Sequence, residues 1–492
     1  MTRTWRSAFF AAAATLVCLQ LFVPPVLGIA DNCDFEKLRT RACIGPEVPE
    51  KYPYFEYFVP GYAIRAQYCR AGTPTSAAIP LAISLWAARL VLPAGHYDLR
   101  LLAALYAILF LAAYWYFNRS AGPAAGVVVL AVFCSAVYVP LFSTFYMDAA
   151  AFIWLAWAVV LSIRILTADE VRWYTYLALA GFLVLLATSK TQYVLLPLCF
   201  LPVFWLRFGR KRFPAVLVRA AVSCAVLLAA GLYMSASSPW YRAVALFDGL
   251  FFKFLPACQN PAAEVRKLGL GPQFDNDVGK HAYYPETHMQ ESDFALAFGR
   301  VVGVPQMARF VLTHPSADVK ALRHDLDEAS LERVRMKIGQ REYRLGNYEM
   351  DTGRAPESQS NFFTVWSAFK FTILARRPWI YLGYIVALFA ALWTAAARQR
   401  TLRGPAIAGA AILTALLPAS FLPAFLDAVD TGRHLAFFNC FLDMAACALF
   451  VLIVRLLFSP WGGQSWRQPP LRRPEPAESR LRAELPAPRC KK

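Results

Sequence analysis

Charge is scarce in this chain. Only 17% of its 492 residues are charged, and the signs are unequal, with 50 Lys and Arg against 32 Asp and Glu. Soluble domains carry nearer a quarter charged residues, which excludes a soluble enzyme and a solvated disordered chain. No cysteines stand at metal-site spacing: Cys33 and Cys43 are ten apart, and most of the 11 cysteines lie in apolar stretches. That argues against a small disulfide-stapled scaffold, although Cys33, Cys43, Cys69 and Cys258 fall where a disulfide is permitted. There is no nucleotide-binding loop and no tandem repeat. No pair of Gly/Pro-broken spans sits in corresponding halves, and no intramembrane acidic relay is evident, both of which speak against a transporter.

What is present is apolar sequence in long runs. Hydrophobic residues make up 58% and aromatic residues 15%, and the mean hydropathy is +0.41. Segments 8–28, 101–117, 124–142, 149–166, 174–190, 191–208, 220–237, 378–397, 405–426 and 435–458 each approach the roughly 20 residues that cross hydrocarbon as a helix. Backbone polar groups have no partner in lipid, so helices are expected. Segment 8–28 reads as a retained first span, longer than the apolar core of a signal peptide. Segment 77–93, with Pro80 and Arg89, reads as a juxtamembrane helix, because an extra crossing there would turn every later basic loop outward.

The +18 net charge then becomes a topology signal. Segments assigned to the cytoplasm hold 22 basic and 5 acidic residues, the outer loop 30–98 holds 7 of each, and the outer loop 238–370 holds 16 of each. Both termini are expected inside, and the surplus calls for no nucleic acid. The remaining membrane-edge positions hold 5 basic and 4 acidic residues. The expected divisions are a first transmembrane helix at 1–29, an outer loop with an acidic motif at 30–100, a six-helix membrane core at 101–237, a large outer loop at 238–377, three further spans at 378–458 and a basic disordered tail at 459–492. Periodicity over 316–345, carried by Val319, Leu322, Leu326, Leu331 and Val334, predicts helix in the large loop.

Polar residues of two kinds recur at the outer edge. Asp31 and Asp34 follow the first span in Asp31-Asn32-Cys33-Asp34-Phe35, and Asp148 ends Phe145-Tyr146-Met147-Asp148. Arg100, Lys190, Gln192, Arg433 and His434 also flank spans there, as do Arg376, Arg377, Asp427 and Asp430. Ionisable groups at this depth are costly unless paired or wet. A carboxylate takes a proton from a hydroxyl, and Arg or Lys holds a phosphate, Arg with a bidentate fork. Together they suit transfer of a group from a lipid phosphate, with the cations placed where charge develops on the leaving group.

In this order the motifs resemble the GT-C superfamily of polytopic glycosyltransferases, which use polyprenyl-phosphate sugars. The likeness rests on Asp31-Asn32-Cys33-Asp34-Phe35, Arg100-Leu101-Leu102, Phe145-Tyr146-Met147-Asp148 and Lys190. More narrowly the chain looks like bacterial glycan-biosynthesis hexose transferases, through Leu268-Gly269-Leu270, Leu345-Gly346-Asn347-Tyr348-Glu349, Trp366-Ser367 and Arg433-His434-Leu435-Ala436-Phe437-Phe438-Asn439. Cys33 stands where that pattern has Gly.

The resemblance implies an all-α polytopic integral membrane protein: a GT-C-like bundle of about ten transmembrane helices with outer juxtamembrane helices and a small helical periplasmic subdomain. It implies a bacterial inner-membrane hexosyltransferase with a periplasmic site and an inverting single displacement. The donor would be a polyprenyl-phosphate sugar and the acceptor a cell-envelope glycan or a lipid-linked molecule. Asp34 is the expected base and Asp31 its partner or substitute. Arg433, Lys190, Arg100 and His434 are expected on the donor phosphate. Asp148 and Gln192 are expected on sugar, acceptor or a metal, whose involvement stays open. The alternatives are a glycan-lipid flippase and a ligase or polymerase of lipid-linked glycans.

Overall fold

The computed structural model describes residues 4–72, 74–168, 170–207, 213–236, 238–331, 335–338, 341–426 and 430–462. The basic tail beyond 462, the basic residues between 208 and 212, and Asp427 lie outside the described residues. Seven helices among the described residues are long and apolar enough to cross a membrane: Thr4–Phe22, Leu99–Ser120, Met147–Thr167, Val216–Ser235, Pro378–Arg398, Arg403–Leu426 and Thr431–Phe458. They are called the first to seventh spanning helices below. A pair in the large loop, Asp293–Val301 and Val304–Thr313, passes the same test only if its 59° bend is counted as one broken span.

The expected count of about ten exceeds these seven because three apolar segments form shorter helices. Segment 124–142 is helical only over Pro123–Phe133, and 174–190 only over Trp173–Ala187. At 1.5 Å per residue these reach about 16 and 22 Å, short of the roughly 30 Å hydrocarbon layer. Segment 191–208 is two short 3-10 stretches followed by Leu201–Arg207. Pro140 and Pro197 sit in the first turns of Val139–Phe142 and Leu196–Phe200, where a residue without an N–H interrupts a continuing helix. The helix Ala78–Val91 is 14 residues long and exposes Ile79, Ile83, Trp86 and Leu90 along one stripe. Length and stripe fit a helix lying along the membrane rather than through it.

The expectation of an all-α chain needs correction. The loop after the first spanning helix carries a three-stranded antiparallel sheet of β1 (Ile44–Gly45), β2 (Gly61–Ile64) and β3 (His96–Asp98), in that order, with Ile44 opposite Ile64 and Tyr62 opposite Tyr97. A Cys43–Cys69 disulfide closes this region. In the large loop the predicted helix stops at Ser330, the end of Pro315–Ser330. After it β4 (Arg335–Ile338) pairs with β5 (Arg341–Arg344), Ile338 facing Arg341. Gly339, in the sequence between the two strands, is a hairpin signal that the helical periodicity masked.

The main core runs between the spanning helices, and Met147–Thr167 is the most enclosed of the seven. A second core sits in the large loop, where Phe247, Phe251, Phe254, Phe298 and Phe310 pack together and meet Phe425 of the sixth spanning helix. The first loop and the large loop are stitched to each other by backbone hydrogen bonds. Gly28 N–H donates to Asn347 O at 3.1 Å, Ala30 N–H to Gly346 O at 2.8 Å, and Gly346 N–H to Phe55 O at 3.0 Å. Gly346 is required here: a Cβ on it would lie 1.9 Å from the Glu56 carbonyl oxygen. The Leu345-Gly346-Asn347 motif is therefore a close approach of two backbones, which fixes the segment entering the acidic turn.

Candidate functional site

The acidic motif folds into a tight turn ahead of the short helix Glu36–Arg39. Cys33 takes φ +80°, a conformation glycine adopts freely and other residues seldom do. This is the position where the resemblance expected glycine. The buried Asp31 carboxylate holds the turn, accepting from Cys33 N–H at 2.8 Å and Phe35 N–H at 3.2 Å. The Tyr52 hydroxyl lies 3.5 Å from its other oxygen. Burial pushes the Asp31 carboxyl up to about 7, and the two backbone N–H groups and Arg39 only partly offset it.

Asp34 lives in the opposite electrostatic setting. Its side chain keeps 20% exposure, Lys37 Nζ lies 2.6 Å from Oδ1, and the Arg433 guanidinium donates to Oδ2. Burial works against its ionisation, but Arg433 and Lys37 outweigh burial and hold the carboxyl well below the usual carboxylate range. Asp34 and Arg433 are 399 residues apart in the chain. Their meeting ties the first loop to the start of the last span.

Arg433 is the hub. Its Nε lies 2.8 Å from Asp430 Oδ2, which also accepts from Asn32 Nδ2 at 2.7 Å. Its guanidinium lies over the Tyr146 ring, 4.7 Å from the centroid, a cation–π contact that adds to the ion pairs. The Tyr146 hydroxyl accepts from Asn32 N–H at 3.1 Å and lies 2.9 Å from both Ala30 O and Asn32 Oδ1. The aromatic-to-acid motif thus supplies two working residues. Tyr146 supports the acidic turn, and Asp148 opens the third spanning helix and pairs with Lys190 at 3.1 Å, both buried. Tyr193 donates to the same Asp148 oxygen.

The predicted residues divide clearly. Asp31, Asp34, Asp148, Lys190 and Arg433 come together, and the charged groups around Lys190 include Asp148, Arg433, Asp34 and Lys37. His434 is buried next to Arg433, with Lys190, Arg433 and Asp34 in its surroundings. Gln192 lies in the 3-10 turn Thr191–Tyr193 that follows Lys190. Arg100 stands apart: exposed at the start of the second spanning helix, it is paired at 2.5 Å with Asp98, the residue that caps that helix. Asp148 is committed to Lys190, and among the described residues no group of three or more His, Cys, Asp or Glu gathers as a metal site.

Several participants escaped the sequence reading. Lys37 is three residues beyond Asp34, the spacing at which helical neighbours pair. Asn32 and Tyr146 sat inside quoted motifs with no role given to them. From the large loop, the Tyr241 ring lies under Lys37 with its centroid 5.1 Å from Nζ, and Tyr283 is close enough to Lys37 and Asp34 to feel their charge. A cavity of about 60 Å³ lies beside the cluster, lined by Tyr138, Tyr146, Asp148, Arg433, Phe437 and Asn439 among others.

A further buried carboxylate, Asp443, lies away from this cluster. Asp443 lies within the last spanning helix. It accepts from Lys370 Nζ at 2.5 Å and Trp366 Nε1 at 2.7 Å on one oxygen and from Tyr138 OH at 2.6 Å on the other. Trp366, read from sequence as part of a motif, is a hydrogen-bond donor to this acid.

Fold and site together define a multi-pass helical membrane protein with a buried cation–carboxylate cluster at one end of its bundle. The chain belongs to the family of the YfdI N-terminal transmembrane domain, whose model matches residues 6–468. That is a family of GT-C-like membrane glycosyltransferases. No curated protein and no solved structure matches the chain.

Proposed function

We propose that the protein transfers a hexose from a polyprenyl-phosphate-linked donor to a cell-envelope glycan or lipid-linked acceptor at the outer face of the inner membrane. The observation that carries the reading is the junction of Asp34 with Arg433, beside Lys37 and the Lys190–Asp148 pair. Arg433 is paired with Asp34, the candidate base. A donor phosphate competes for Arg433 and Lys37. Once it takes them, Asp34 loses the charges that depress its carboxyl and becomes a better proton acceptor.

The acceptor hydroxyl then gives its proton to Asp34 while its oxygen bonds to the sugar C1. The C1–oxygen bond to the phosphate breaks, and the departing polyprenyl phosphate gains a negative charge against Arg433, Lys37 and Lys190. In a displacement of this kind the configuration at C1 inverts. Asp31 is a positioning residue: its bonds to Cys33 and Phe35 hold the turn that presents Asp34. Tyr241 and Tyr283 bring the large loop beside Lys37, and this loop is the source of acceptor contacts.

The test is Asp34→Asn and Asp31→Asn in a strain lacking the native copy, with envelope glycans profiled. Loss of a base costs about 10²–10⁴-fold, so Asp34→Asn abolishes the modification. Asp31→Asn keeps the acceptor oxygen and retains part of it. If Asp34→Asn restores the modification at normal protein level, the catalytic assignment is wrong.

A further inference from the structure

At the other end of the bundle lies an open cavity of about 620 Å³, lined by the second, third, fifth, sixth and seventh spanning helices and the short helix Pro123–Phe133. Its walls are Ala, Leu, Ile, Val and Phe over most of their extent, and three arginines, Arg119, Arg164 and Arg455, line it as well. Arg164 is sixteen residues beyond Asp148 on one helix, and Arg455 is twenty-two beyond Arg433. The helical rise puts them about 24 and 33 Å from the cation–carboxylate cluster. All three arginines are exposed, and none has a carboxylate partner among the described residues.

Hydroxyls line the same cavity, those of Tyr114, Ser120, Ser162 and Thr167. The Ser162 hydroxyl is buried and has no hydrogen-bond partner among the described residues. A buried hydroxyl without a partner carries a desolvation cost that a bound acceptor would remove. Ser162 precedes Arg164 by two residues, about 3 Å deeper along the helix.

We infer that this cavity is a binding site for an anionic glycerophospholipid. Its phosphate sits on Arg119, Arg164 and Arg455, an ester carbonyl accepts from Ser162, and an acyl chain fills the apolar interior. The cavity supplies cations, a hydrogen-bond donor and hydrocarbon, the partners that a phosphate, an ester and a chain each require. Basic pockets between spanning helices hold anionic headgroups for the same electrostatic reason, and the volume falls within the range of ligand cavities. A polyprenyl phosphate has no ester carbonyl for Ser162, so the donor lipid is the poorer match. The inference does not depend on the transferase reading.

The test uses the full chain in detergent, incubated with equal amounts of phosphatidylglycerol, phosphatidylethanolamine and a polyprenyl phosphate and read by native mass spectrometry. The expected result is preferential retention of phosphatidylglycerol. Each arginine changed to Gln should lower it about fivefold, and the triple variant roughly a hundredfold. Gly409 lines the cavity, and a Cβ there meets no heavy atom within 4 Å. Gly409→Leu should therefore fill the space and displace the lipid while the melting temperature holds, which keeps a readout if the triple variant fails to fold. Equal retention of the charged and zwitterionic lipids, phosphatidylglycerol retention unchanged in Gly409→Leu or in a folded triple variant, or preference for the polyprenyl phosphate each overturns the assignment.

Discussion

Asp34 and Asp443 are both held by a cation from a distant part of the chain, yet they are built for different work. Asp443 is 3% exposed, and both its oxygens are taken by side chains of fixed direction, from Lys370, Trp366 and Tyr138. Nothing can approach it without dismantling the packing around the last spanning helix. Asp34 keeps 20% exposure and is held by two cations that a phosphate can also engage. The difference teaches that a buried ion pair alone does not mark a reactive site. What matters is whether the partners can be exchanged for those of a substrate.

Double substitution is the strongest way to break that comparison. Lys370→Met leaves Asp443 buried and unpaired, which costs on the order of 3–5 kcal/mol. Lys370→Met with Asp443→Leu should recover most of the loss, with transfer per folded molecule unchanged. Arg433→Gln with Asp34→Asn should recover thermal stability in the same way but no transfer. Melting temperature and glycan transfer, measured on the same preparations, separate the pairs. Loss of transfer by a folded Lys370/Asp443 double variant would give the inner pair a functional role and remove the distinction.

A smaller effect sharpens the contrast between the two acids of the first loop. Asp31 keeps its proton to about pH 7 in the folded protein because burial disfavours its charge, whereas an unfolded Asp loses it near pH 4. Between those values the native state binds the extra proton, so stability falls as pH rises, by about 4 kcal/mol at most across the window. Asp34, held low by Arg433 and Lys37, contributes the opposite slope, with stability lost as pH falls below about 4. Asp31→Asn should flatten unfolding free energy between pH 4 and 7 and raise stability at pH 7.5. A wild-type curve flat over that range, or an unchanged slope in Asp31→Asn, counts against a protonated Asp31.

The parts of this arrangement were unequally legible in the sequence. Long runs such as Met147–Thr167 declare themselves through length and apolarity alone. The acid motif, Lys190 and Arg433 were legible as costly groups at span ends. The span count was not, because Pro140 and Pro197 break segments whose average hydropathy is indifferent to geometry. Strands of two to four residues, such as Ile44–Gly45 and Arg341–Arg344, are too short for alternation to register. Asp443 was counted with the membrane-edge residues, because one acid in a long apolar run gives no depth. Arg100 was placed by motif order, whereas the local pairing with Asp98 decides its position. Nothing in the chain order announces that residue 34 meets residue 433, since that contact is a product of tertiary packing.

The most direct measurement follows a labelled hexose carried on polyprenyl phosphate, supplied to the purified protein in detergent with a cell-envelope glycan fraction. Detergent leaves no leaflets to cross, so movement of label reports bond transfer and not flipping. The account predicts that wild-type protein moves label from the lipid to a new acceptor and that a folded Asp34→Asn protein leaves it on the lipid. Label that stays on the lipid with wild-type protein, or moves equally with Asp34→Asn, would contradict it.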